Sequence, residues 1–439
     1  MLWPDTTERS PDGALVIGGV AVADLAAEYG TPLYLFDVAT IRARCRLHKQ
    51  ALGSAYERPK VTYAGKAWVA PALLQLIRDE GLNLDVVSGG ELYVALRSGF
   101  PADRIAFHGN NKSPDELQMA LDAGIGEIII DNFDEIRLLD ELTRGRSTPV
   151  TVLLRLNPGI DVHTHDYRKT GIVDSKFGLG ISTGDAERAV QAVLDTPGLY
   201  LRGYHAHIGS QIFEVEPFIE TVDTLFEFAG TMRDRFGIVP EEISPGGGFG
   251  VRYEEGDPDV ALTAYAEQIG RAATLAAERW DLPSPVLTTE PGRSIVGPAG
   301  VAVYTLGARK VIPGVRTYVS VDGGMADNIR PPLYGAVYTA ELVGKPSVGE
   351  MEWLTIAGKY CESGDVLIER VALPPSRYGD LLAVPAAGAY CLAMASNYNL
   401  ALRPAVVFVE HGTARLVQRR ERFEDLLARD IAPEDGYRT

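Results

Sequence analysis

From residue 61 to residue 290 the chain repeats one alternation. A short run of β-branched and apolar residues is followed by a longer stretch whose apolar positions recur at helical spacing. Strands are predicted over 61–65, 83–87, 104–108, 127–131, 150–156, 201–207, 241–246 and 286–290, each bounded by turn-forming residues. Helical patterns separate them. One begins at Val69. In another, over 217–236, Ile219, Val222, Leu225, Ala229 and Met232 fall on one face, and a third runs from Pro258 to about Arg279. Eight strands alternating with helices over about 250 residues is the count of a (β/α)8 barrel of the TIM type. A doubly wound open α/β sheet is the competing arrangement.

Polar positions decide between the two. Lys66, Asp85, His108, Asp131, Asn157, His207, Gly246, Gly247, Gly248 and Glu290 fall at or near the carboxyl ends of the predicted strands. In a closed barrel these ends converge on one mouth, where sites of this fold lie; in an open sheet they spread along an edge. The barrel is therefore expected over 37–300. Beyond it the pattern changes. Strand-like runs at 302–308, 317–321, 353–358 and 405–410 come with Gly/Pro turns and few helices. Before it lie a short β-like piece at 14–20, a helix at 22–29 and the start of a strand at 32–37. Residues 1–36 together with 301–439 are expected to form a second, mostly antiparallel β domain of sandwich or barrel type.

Composition narrows the class of partner. With 439 residues, 46% apolar and 23% charged, the chain is an ordinary globular one of two-domain size. Its net charge of −17, with no basic block, argues against nucleic acid or an anionic membrane surface. Cys45, Cys361 and Cys391 have no C-x-x-C spacing, so neither a disulfide framework nor a zinc knuckle is expected. The absence of a signal-peptide pattern and of an apolar run of spanning length points to the cytoplasm.

Candidate chemistry gathers at the strand ends. Lys66 closes the run V-T-Y-A-G-K. A lysine there either snorkels or, desolvated, serves as a Schiff-base nucleophile. Pro245-Gly246-Gly247-Gly248-Phe249-Gly250 follows the seventh strand, where barrels of this kind hold phosphate, although a tight turn accounts for the run equally well. It lacks the lysine and hydroxyl of a P-loop. Glu290-Pro291-Gly292-Arg293 follows the eighth strand. Opposite a reactive lysine and a phosphate site, Glu290 is the partner a pyridinium nitrogen needs, which makes pyridoxal 5'-phosphate the candidate cofactor. A Glu290–Arg293 ion pair is the alternative. His207, in Y-H-A-H-I-G-S-Q, could stack on a cofactor ring. The second H-x-H pair, His163 and His165, raises a zinc reading. Barrel metallohydrolases carry such a pair by the first strand, however, where this chain has Y-A-G-K, so no metal is expected. In the second domain Arg330 and Tyr334 suit a carboxylate. Cys361-Glu362-Ser363-Gly364-Asp365 sets a thiol beside two carboxylates, whereas Cys45 and Cys391 read as small buried hydrophobes. Gly388-Ala389-Tyr390, with Met394 and Asn397-Tyr398-Asn399, forms a small-aromatic loop.

Together these motifs resemble the diaminopimelate decarboxylases, fold-type III pyridoxal-phosphate enzymes that share the architecture of alanine racemase. Y-A-G-K-A, S-K-F-G, H-I-G-S-Q, G-G-G-F-G, E-P-G-R-S-I-V, V-D-G-G-M, R-P-P-L-Y-G-A, C-E-S-G-D and G-A-Y…M-A-S-N-Y-N occur in the expected order between about residues 61 and 399. The resemblance implies that Lys66 carries the cofactor and that His207 stacks on its ring. It implies that Ser210 binds the cofactor, that Gly246, Gly247, Gly248 and the backbone around Gly292 and Arg293 hold its phosphate, and that Glu290 pairs the ring nitrogen. By the same resemblance Arg293, Arg330 and Tyr334 bind the distal carboxylate of the substrate, Glu362 its distal ammonium, and Tyr390 both cofactor and substrate. Cys361 is then the proton donor, on a segment that enters the site from the second subunit of a homodimer. The reaction implied is decarboxylation of meso-2,6-diaminopimelate to L-lysine. Two positions depart from the family pattern: Trp68 stands where asparagine is usual, and Phe249 where leucine is. Alternatives are the same chemistry on another basic amino acid or a natural-product intermediate, racemisation, or a non-catalytic carrier of the cofactor. A racemase pairs arginine with the ring nitrogen, against Glu290. A carrier leaves everything after residue 301 unexplained.

Overall fold

A computed structural model describes residues 2–11, 13–160, 174–345, 347 and 349–431. The chain divides into two compact units, one of residues 41–252 with 257–296 and one of residues 1–40 with 253–256 and 297–439.

The first unit is a closed barrel. Its eight strands are Pro59–Ala64, Asn83–Val86, Ile105–Phe107, Glu127–Ile130, Val150–Asn157, Leu199–His205, Glu242–Gly246 and Val286–Thr289. Each pairs in parallel with the next, and the eighth returns to the first. The strands are buried over most of their length, as both-face burial in a helix-wrapped barrel requires. The predicted strand positions hold to within one or two residues at either end. His207 accordingly lies two residues beyond the sixth strand.

The helices begin where local chemistry directs. Pro71 opens Pro71–Asp79, and Ser113 caps Pro114–Ala123 in a reciprocal capping box with Glu116. Helix Glu216–Phe236 buries Phe218, Val222, Leu225, Phe226, Ala229 and Met232, while Ile219 is only half-buried. Four of the five predicted positions are thus buried, and in the first turn Phe218 takes the place of Ile219. Near the amino-terminal ends of the strands, Lys60 Nζ lies 2.7 Å from Glu127 and 2.8 Å from Glu242. Arg202 approaches Glu127 at 3.4 Å, and Thr288 donates to Glu242 at 2.6 Å. Burial works against the Lys60 charge, but the two carboxylates outweigh it and raise the ammonium above its ordinary value.

The second unit is mostly antiparallel sheet. Its long strand Gly300–Ile312 pairs antiparallel with Leu33–Asp37, Arg316–Val321 and Leu381–Val384. Leu33–Asp37 lies in parallel beside Ala405–Glu410, which turns back into Thr413–Gln418. On the other flank Arg316–Val321 pairs in parallel with Glu352–Ala357, followed by antiparallel Val366–Leu373. An N-terminal segment thus sits inside a sheet otherwise built from the end of the chain. Leu33 and Leu35 join Leu15, Ile17, Val301, Val303, Val407 and Val409 in one core.

Candidate active site

Lys66 is in the 3-10 turn Gly65–Ala67 directly after the first barrel strand and is half-buried. The Gly65 amide donates to Asp85 at the end of the second strand, at 2.8 Å. Burial and then the charge of Glu290 push the Asp85 carboxyl up to about 8, against the pull of Lys66. Trp68 is 3% exposed and accepts a 2.8 Å hydrogen bond from Tyr63 at its carbonyl, so its bulk is absorbed inside the barrel unit.

Glu290 follows the eighth strand and is buried. His205 Nε2 lies 3.0 Å from its Oε2, and Ser244 Oγ donates to its Oε1 at 2.9 Å. Burial alone would raise this carboxyl. The adjacent His205 ring and its bond more than offset burial, and hold the carboxylate well below its ordinary range. His108 meets the His205 ring edge-on, with 4.9 Å between centroids, and the ligand atoms of His108, His205 and Glu290 lie within 4.8 Å of one another. Ser244 was not legible as a site residue from motif alone, and His205, though it stands in Y-H-A-H, carried no cofactor role there. Strand periodicity is the signal that finds them, since each stands two positions before a strand-end candidate, His207 or Gly246, and so shares its side of the strand.

The loops after strands six and seven are zipped together. Gln211 donates to the Val251 carbonyl at 2.6 Å and accepts from the Val251 amide at 3.1 Å. Ile212 N donates to Gly248 O, and Gly250 N to Ile212 O, each at 3.0 Å. Glycine is required here: Gly246 has φ +81°, and a Cβ on Gly247 would stand 2.0 Å from the Glu290 carbonyl. The Gly247 amide donates to His207 Nδ1 at 3.3 Å. Burial and the charges of Lys66 and Arg155 push His207 well below its ordinary value, so its ring is neutral. Arg293 donates to Ser210 at 2.9 Å. Glu290 and Arg293 thus each bond to groups other than one another. Phe249 stacks on Phe218 at 5.1 Å and contacts the rings of Tyr265 and His48, and this aromatic cluster takes up the bulk added over leucine.

At the fifth strand the Gly178 amide donates to Asp131 at 2.9 Å, while Arg155 lies 3.6 Å from Asp131 and 4.4 Å over the Phe177 ring. This pins S-K-F-G to strands four and five. Arg155, two positions before Asn157, is a further mouth residue that motif reading did not find. His163 and His165 lie outside the described residues.

These groups suit pyridoxal phosphate. A half-buried lysine, an ionised carboxylate, a neutral imidazole and a glycine run with an arginine and a serine beside it are what a phosphorylated pyridine aldehyde requires.

The remaining candidates belong to the sheet unit. Arg330 opens the helix Arg330–Tyr334 and is 2% exposed. Its guanidinium lies 4.4 Å over Tyr253 and donates to the Tyr338 hydroxyl, which is 3.5 Å from Cys391 Sγ. Tyr334, one helical turn on, is half-buried. Tyr253 and Tyr338 lie just outside G-G-G-F-G and R-P-P-L-Y-G-A, and only the fold brings them to Arg330. Cys361 and Glu362 are exposed, and the Cys361 amide donates to Asn399 at 3.0 Å. Asp365 is buried and accepts from the amides of Met325 at 2.7 Å and Tyr360 at 2.9 Å. It therefore braces the loop rather than flanking the thiol with free charge. Tyr390 holds φ +61°, a conformation uncommon for a bulky side chain.

Comparison with known proteins gives one answer along the whole chain. The family model "Pyridoxal-dependent decarboxylase, pyridoxal binding domain" matches residues 38–297. The chain is 49% identical over 438 residues to a diaminopimelate decarboxylase of Bacillus subtilis, covering 100% of both. It is 46% identical to that of Halalkalibacterium halodurans, over 98% of each chain. The crystal structure of diaminopimelate decarboxylase from M. jannaschii in complex with L-lysine superimposes with a TM-score of 0.92, at 34% identity and 100% coverage of both chains.

Proposed function

The chain belongs to the diaminopimelate decarboxylase family of pyridoxal-dependent decarboxylases, and we propose from that premise which of its residues carry out the reaction. The reaction is decarboxylation of meso-2,6-diaminopimelate to L-lysine and carbon dioxide, the closing step of lysine biosynthesis. The observation that supports the residue assignment is convergence. The amide of Gly65, next to Lys66, bonds to Asp85, and the amide of Gly247, packed on the Glu290 carbonyl, bonds to His207, so lysine, carboxylate and imidazole gather at the mouth of one barrel.

Pyridoxal phosphate, when bound, supplies the electron sink that accepts the electron pair left behind as the carboxylate departs. Lys66 is its covalent anchor. Gly246, Gly247, Gly248, Gly292, Ser210 and Arg293 hold its phosphate, His207 lies against its ring, and Glu290 pairs with its ring nitrogen. Arg293, Arg330 and Tyr334 bind the distal carboxylate of the substrate, Glu362 its distal ammonium, and Tyr390 touches cofactor and substrate. Carbon dioxide leaves the reacting carbon, and the Cys361 thiol delivers a proton to that same carbon. The assembly is a homodimer in which C-E-S-G-D of one subunit serves the barrel of the other, consistent with the exposure of Cys361 and Glu362 within a single chain. The compartment is the cytoplasm, in keeping with three cysteines that form no disulfide and with the lack, among the described residues, of a helix long and apolar enough to cross a membrane.

The test is to mix cofactor-loaded protein with meso-2,6-diaminopimelate and measure lysine and carbon dioxide, with L-lysine and L-ornithine as comparison substrates. One lysine per carbon dioxide from diaminopimelate alone is expected; release from ornithine or lysine instead overturns the substrate assignment. Lys66→Ala abolishes both turnover and the visible absorbance of bound cofactor. Cys361→Ala lowers kcat by about 10²- to 10⁴-fold, the range of a lost general acid, while cofactor binding is unchanged.

A further inference from the structure

Both oxygens of the Glu290 carboxylate are held from neighbouring barrel strands. His205, the last residue of strand six, reaches Oε2 at 3.0 Å; Ser244, in strand seven, reaches Oε1 at 2.9 Å. Each of the two is 1% exposed. Ser244 Oγ also accepts the Gly246 amide at 3.1 Å, so one hydroxyl joins the carboxylate to the glycine run. His205 Nδ1 is buried without a hydrogen-bond partner, and the His108 ring meets the His205 ring edge-on. For stability alone this is a poor arrangement. A buried imidazole with one nitrogen unsatisfied costs more than an apolar side chain of similar volume. What the arrangement secures is direction. A carboxylate offers about four lone-pair sites. One donor on each oxygen sets its plane and leaves the others for a further donor.

We propose that His205 and Ser244 are positioning residues for the reaction: they hold the Glu290 carboxylate in the single orientation that meets the pyridine nitrogen of the cofactor, and Ser244 ties that orientation to the glycine run that receives the phosphate. This rests on the assignment of Glu290 made above. Neither residue touches substrate; both act through Glu290.

The test compares two cofactors. Pyridoxal phosphate and its carbocyclic analogue, with CH in place of the ring nitrogen, share aldehyde and phosphate, but only the first can bond to Glu290. Each is titrated into cofactor-free wild type, His205→Leu, His205→Gln and Ser244→Ala, with binding read from absorbance. His205→Leu is expected to weaken pyridoxal phosphate about tenfold, the worth of one charge-assisted hydrogen bond, and the analogue by less than about twofold. His205→Gln, which keeps an N–H donor, restores most of the loss. In the loaded enzyme His205→Leu lowers kcat with KM little changed. Equal weakening of both cofactors, or of neither, overturns the proposal, because a merely structural role does not distinguish N from CH. If His205→Leu does not fold, Ser244→Ala decides by the same ratio. Failure of the wild type to bind pyridoxal phosphate at all would instead overturn the functional reading beneath it, and the two failures are distinguishable.

Discussion

His48 shows how far burial alone can move a side chain. It is 6% exposed, bonds to Ser294 at 2.9 Å and packs on Phe249. Burial, with a smaller push from Arg44, lowers its pKa to about 3. The folded protein therefore takes up this proton less readily than the unfolded chain. Stability from the neutral ring is present above the unfolded value near 6.5 and lost as pH falls toward 3. His108 and His207 are depressed in the same direction. Asp85, raised to about 8, runs the other way: its contribution is complete below about pH 4 and lost as pH climbs toward 8. Denaturant unfolding of wild type and His48→Gln separates this one group from the rest. The stability difference between them is expected to shrink by about 1.4 kcal/mol per pH unit on acidification below pH 6.5; a constant difference means that His48 does not titrate as described. Residue identity was readable from sequence wherever chemistry sat in a motif, as for Lys66 and Glu290. It was not readable for Asp365. This residue and Glu362 are both carboxylates of C-E-S-G-D, and only the folded loop turns one inward onto two amides.

Among the elements, the floor of the barrel carries a charge arrangement that the pattern of strands did not disclose. Lys60, Glu127 and Glu242 come from strands one, four and seven and meet only because the sheet closes. Removing the cation leaves two buried carboxylates facing each other. Lys60→Met is expected to cost about 3–5 kcal/mol in denaturant unfolding, and Lys60→Met with Glu242→Leu to recover part of that. A cost below about 1 kcal/mol would mean that water screens the group. The barrel strands were legible because both-face burial writes continuous apolar runs. Three strands of the sheet unit with four or more residues were not. Val366–Leu373 carries Glu369 and Arg370 outward at its centre, and Thr413–Gln418 has no buried position. Leu381–Val384 is only four residues long. Such segments are strands by virtue of what they pair with, which their own composition does not record.

For the molecule as a whole, the proposed exchange of C-E-S-G-D between subunits has a direct consequence. Lys66→Ala and Cys361→Ala proteins, each inactive or nearly so, are mixed, dissociated and reassociated. Half the dimers then pair one of each, and in these one of the two sites is intact. About a quarter of the wild-type rate is expected to return; no recovery, with subunit exchange verified, means that Cys361 serves its own barrel. The alternation of buried strands and amphipathic helices determined the barrel on its own, because periodicity is a local property that each segment carries. The order and type of the strand-end residues likewise determined cofactor and reaction class, since eight parallel strands leave all their carboxyl ends on one rim. Closure of the ring decided what no local pattern holds: that His205 and Ser244 reach Glu290 from strands six and seven, and that Lys60 meets two glutamates. The same holds for the N-terminal strand Leu33–Asp37, which finds its neighbours at Gly300–Ile312 and Ala405–Glu410. Those contacts join residues from 46 to several hundred positions apart. Side chains so distant are neighbours only once the backbone entropy of the whole unit has been given up, so the information lies in the fold and in no segment of it.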